Sequence, residues 1–76
     1  MTGNRTTERY EVDGFEVAFV PWHSEYLNES FVAVYVFEDG REVLHAGMTK
    51  IEPSEDNARK EVEHVLRLRK LMEVDA

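Results

Sequence analysis

Seventy-six residues with sixteen Asp and Glu against nine Lys and Arg, a net charge of −7 and no cysteine describe one small acidic domain without a disulfide staple or a thiolate zinc site. A chain of this length buries only about 60% of the surface its unfolded form exposes, so its stability has to come from packing, within itself or against another subunit. The longest apolar run, Phe31 to Phe37, has seven residues, too few for a membrane span, and the expectation is a soluble, cytoplasmic protein.

Residues 1–7 (MTGNRTT) are polar and aperiodic and read as a disordered tail, leaving 8–76 as a single domain. The segment Arg9 to Val20 divides at Asp13 and Gly14, a pair suited to the positive φ angles of a type I′ turn. A two-residue turn there sets Val12 opposite Phe15 and Tyr10 opposite Val17. Tyr10, Val12, Phe15, Val17 and Phe19 then share one face, and Glu11 and Glu16 oppose each other on the other. Pro21 lacks a backbone donor, so the strand is expected to stop and PWHSEYLNES to form a loop. Its Trp22, Tyr26 and Leu27 are expected to tuck under the sheet edge, or else to form a contact site.

A second hairpin follows, with FVAVYVF and REVLHAGM on either side of Asp39 and Gly40, and it is apolar on both faces. Phe31, Ala33, Tyr35, Phe37, Leu44, Ala46 and Met48 fall on one face; Val32, Val34, Val36 and Val43 fall on the other. Glu38, Arg41 and His45 count with the valines, so the aromatic face is expected to pack inward and the valine stripe to point outward.

Pro53 and Ser54 announce a helix, with Ser54 as its cap and Glu55 and Asp56 favoured by the dipole of the first turn. Ala58, Val62, Val65, Leu66 and Met72 recur at helical spacing, with Leu68 at the margin. The predicted fold is α+β: an antiparallel sheet of three to four strands, made of two β-hairpins, packed against one C-terminal helix.

Chemistry finds little to work with. His23 and Ser24 are neighbours in sequence, and neighbouring side chains in an extended segment point apart. Glu61 and His64 have the Glu-x-x-His spacing of di-iron bundles, but a single helix supplies one copy of a motif that needs several. His23, His45 and His64 fall on different elements, and Gly3, Gly14, Gly40 and Gly47 are too dispersed to cradle a phosphate. The expectation is no catalytic residue, metal or cofactor, and no enzyme.

The charge is more informative. From Glu8 to Asp56 the net charge is −9, and from Asn57 to Ala76 it is +1. Such a surface repels phosphate backbones and anionic membranes, which argues against direct nucleic-acid or membrane binding. It suits a basic protein partner. Glu16, Glu25, Glu29, Glu38, Asp39 and Glu42 are the candidate contacts, with Trp22 and Tyr26 as anchors. In size, acidity and layout the chain is similar in type to the small inhibitors of phages and mobile elements, anti-CRISPR proteins and DNA mimics among them; no shared motif carries a residue across. The leading expectation is therefore an acidic protein-binding module, an inhibitor or nucleic-acid mimic acting on a basic, nucleic-acid-handling partner. The alternative is a structural or regulatory homodimer joined through the sheet, with Val32, Val34, Val36, Val43 and His45 as its face. A small-ligand binder or enzyme, with a pocket closed by the Pro21 to Ser30 segment, is the remote third.

Overall fold

The computed structural model describes residues 6–74, and the first five residues of the expected tail lie outside them. Four strands, β1 (Glu8–Val12), β2 (Phe15–Ser24), β3 (Glu29–Glu38) and β4 (Arg41–Thr49), form an antiparallel sheet in the order β1-β2-β3-β4, followed by the helix α1 (Glu55–Val74). The fold is α+β, with the helix on one side of the sheet.

The two Asp-Gly turns fix the outer hairpins. Asp13 and Gly14 have φ of 50° and 85°, Asp39 and Gly40 of 52° and 77°, the paired positive values of a type I′ turn. Val12 then faces Phe15, Tyr10 faces Val17 and Glu11 faces Glu16.

Pro21 does not end its strand. β2 runs on to Ser24, with Pro21 opposite Val32 and Trp22 opposite Phe31. The reason lies in β1, whose last partner on β2 is Phe19: beyond that point no described residue pairs with that edge of β2, and a missing amide donor there costs no ladder bond. The predicted loop shrinks to Glu25–Asn28, with Asn28 at φ 53° and the Leu27 amide donating to Ser24 Oγ at 3.1 Å.

The valine stripe is not exposed. Val34 and Val36 have no solvent exposure and Val32 is buried with them, in a core completed by Val12, Phe15, Val17 and Phe19 from the first hairpin and Ala58, Val62 and Val65 from α1. This reverses the expected packing and removes Val32, Val34 and Val36 as a dimer face. The physical cause is the neighbouring strand. Val17 lies opposite Val36 and Phe19 opposite Val34, so the side with the valines is apolar on every central strand, and that is the side the helix covers.

Val43 and His45 need a separate correction. Phe37 pairs with Glu42 but Val36 pairs with Leu44, leaving Val43 as an extra residue in β4. A bulge of one residue exchanges the faces of everything beyond it. Leu44 and Ala46 therefore join the helix side, opposite Val36 and Val34, and His45 lies beside Tyr35 on the far side. Val43 itself is half-buried against the core.

The helix begins as its sequence implies: Ser54 Oγ accepts from the Asn57 amide at 3.1 Å, and the Ala58 amide donates to the Ser54 carbonyl at 2.9 Å. It packs on β1 and β2. Arg69 reaches Glu38, the last residue of β3, and Phe15, the first of β2, so the turns after it pass the end of the sheet. Leu66, Leu68, Leu71 and Met72 are exposed, including two residues, Leu66 and Met72, that spacing assigned to the apolar side.

Candidate functional site

With α1 on one side, no helix among the described residues lies over the other side of the sheet, and strand register determines what it displays. Two rows cross all four strands. One is Glu11, Glu16, Phe37 and Glu42; the next is Arg9, Ala18, Tyr35 and His45. Val20 with Ala33, and Trp22 with Phe31, extend the face along the longer central strands.

Aromatic rings organise this surface. The Tyr35 ring lies 4.5 Å from His45 with 7° between their planes, and 6.2 Å from Phe37 with 16°. Three nearly parallel rings thus stand side by side over β3 and β4. At the other end Trp22 packs on Phe31 at 5.2 Å, and its indole N–H donates to the Gly47 carbonyl at 2.8 Å, tying β2 to the irregular stretch of β4. Lys50 Nζ sits 4.6 Å from the Phe31 ring centre, 3.2 Å from a Glu29 carboxylate oxygen and 2.6 Å from the Ser30 carbonyl.

The two ends differ in charge. Phe31 already has a cation over it. Phe37 is flanked across both neighbouring strands by carboxylates, Glu16 on β2 and Glu42 on β4, with Glu11 beyond Glu16. The counter-ion among the described residues is Arg9, whose Nη1 lies 3.3 Å from Glu16 Oε2. Like charges directly opposite one another destabilise a sheet, and among the described residues the three carboxylates of this row have one ion-pair partner, Arg9.

The residues singled out from sequence do not form one surface. Glu16, Trp22 and Glu42 belong to the uncovered face. Glu25, Tyr26 and Glu29 are at the β2–β3 tip, where Tyr26 is 96% exposed, and Glu29 is held by Lys50. Asp39 forms its turn. Glu38 faces the helix and is paired with Arg69, whose hydrogen bond holds its carboxyl below the usual carboxylate range. Sequence reasoning set Glu11 opposite Glu16 but missed Phe37 as the next member of their row and Tyr35 as its neighbour in the row beside it. The missing information was the register between β2 and β3, which places Glu16 against Phe37.

On the helix side, the lining of an open groove between β4 and α1 includes Leu44, His45, Ala46 and Ile51 from the sheet and Lys60, Glu61, Glu63, His64 and Arg67 from the helix. Among the described residues no group of three or more His, Asp or Glu is placed to hold a metal ion, and no helix is long and apolar enough to cross a membrane. Compared with protein-family models, with curated proteins and with solved structures, the chain matches none.

Proposed function

We propose that this protein is a small acidic binding module that docks a basic protein partner on the uncovered face of its sheet. The observation that carries the reading is the cross-strand row Glu11, Glu16, Phe37 and Glu42: half-buried aromatic surface for contact, set among three carboxylates of which one, Glu16, is ion-paired among the described residues. Complementary fields of this kind speed association and disfavour wrong partners. The net −9 between Glu8 and Asp56 supports a partner whose basic surface handles nucleic acid, so that occupying that surface inhibits it.

The test is a low-salt pull-down with the wild-type protein and with a Glu16→Gln, Glu42→Gln double variant. The expected result is a basic nucleic-acid-binding protein recovered by the first and lost with the second, and displacement of DNA or RNA from that partner by the wild-type protein. Equal recovery by both proteins, or recovery of nothing basic, overturns the reading.

A further inference from the structure

We infer that the group recognised at the acidic end of this face is the guanidinium of an arginine side chain, stacked against the Phe37 ring between Glu16 and Glu42; the inference rests on the basic-partner reading above. Three features of the site converge on that chemistry. The first is charge: Glu11, Glu16 and Glu42 outnumber Arg9, the one Lys or Arg side chain in the two rows. A cationic occupant relieves the repulsion between Glu11 and Glu16, which face each other directly.

Shape is the second. His45, Tyr35 and Phe37 form a run of rings with interplanar angles of 7° and 16°, and Phe37 ends the run. A flat, delocalised cation continues such a series by lying parallel to it, and its forked N–H groups reach carboxylates on either side. A compact ammonium gains the charge term without the planar contact.

The third is the contrast with the molecule's other rings. Phe31 carries Lys50 at 4.6 Å and Phe15 carries Arg69 at 5.6 Å. In the Arg69 case the guanidinium also forks onto the two oxygens of Glu38. Aromatic ring, carboxylate and guanidinium thus already occur together once in this fold, between β2, β3 and α1. The Phe37 row presents the ring and the carboxylates on the outside, where a guanidinium from another chain shares Glu16 with Arg9 and reaches Glu42.

The experiment compares an arginine-rich peptide with a lysine-rich peptide of equal length and charge, titrated at low salt and followed by fluorescence anisotropy and by amide and aromatic NMR shifts. The arginine peptide is expected to bind about three- to tenfold more tightly, with the largest shifts on Phe37, Tyr35, Glu16 and Glu42. Phe37→Leu should bring that ratio to near one while leaving salt-dependent binding of both peptides. Glu42→Gln, a change at an exposed position, should weaken both. Equal affinity for the two peptides in the wild-type protein overturns the guanidinium inference and leaves the basic-partner reading standing. Binding of neither peptide overturns both. Shifts confined to the groove between β4 and α1, or concentration-dependent broadening that places a second copy on the Phe37 face, overturn the inference as well.

Discussion

Glu38 and Arg69 lie 31 residues apart and meet in a forked ion pair, with Nη2 2.5 Å from Oε1 and Nη1 3.4 Å from Oε2. The pair ties the end of β3 to the helix just before α1 leaves the sheet. The hydrogen bond from Arg69 is the main reason the Glu38 carboxyl titrates below its ordinary value; the charge of Arg69 adds to it and partial burial opposes it. A group whose pKa is lower folded than unfolded stabilises the fold fully above the unfolded value, about 4.3 for glutamate, and loses that contribution as pH falls through the folded value. The denaturation midpoint should therefore fall on acidification below that point. Glu38→Gln should lower the midpoint at neutral pH and flatten the fall; urea titrations at neutral and acid pH measure both.

The core prediction concerns Val62, which is 1% exposed and packs among Val12, Phe15, Val17 and Phe19. Val62→Ala should destabilise by about 2 kcal/mol, the transfer cost of two methyl groups plus the cavity they leave. Met72→Gln, at a position 73% exposed, should change stability by less than about 0.5 kcal/mol. If the two variants melt alike, the assignment of the helix faces is wrong.

At Gly40 the prediction isolates backbone strain from crowding. Its φ is +77°, and a methyl group added there meets nothing within 4 Å. Gly40→Ala should still cost about 1 kcal/mol or somewhat more, because an L side chain disfavours this region whatever the space around it. Gly40→Asn, which tolerates a left-handed conformation, should recover part of the loss in the same denaturant titration.

These elements show where the sequence was legible. The Asp-Gly turns and the Ser54 cap are local chemistry, and they predicted the two outer hairpins, the pairing of Val12 with Phe15 and the start of α1. The choice of buried face was not local. It depended on β2 joining β3 with Val17 against Val36, and on the extra residue at Val43 that carries His45 to the opposite side. An Asp-Gly turn fixes register only up to the first bulge, and nothing in the alternation of REVLHAGM marks where that bulge falls. Pro21 misled for a related reason: its cost depends on whether a strand lies beside it, and β1 is too short to do so. The acidic and aromatic row followed the same logic, since Glu16 and Phe37 become neighbours only once the β2–β3 register is known.

The pairing of Glu11 with Glu16 gives a prediction in which stability and binding move in opposite directions. Two carboxylates on facing residues of an antiparallel pair repel, and replacing one by a cation converts the repulsion to attraction. Glu11→Lys should thus raise the denaturation midpoint slightly, the more so at low salt, since exposed pairs are screened. If the row exists to receive a basic partner, the same substitution should weaken the arginine-rich peptide several-fold by supplying from within the charge the partner brings. Sites kept at some cost to the fold behave in this way. A variant that is more stable and binds the peptide unchanged would mean that the carboxylates of this row take no part in recognition.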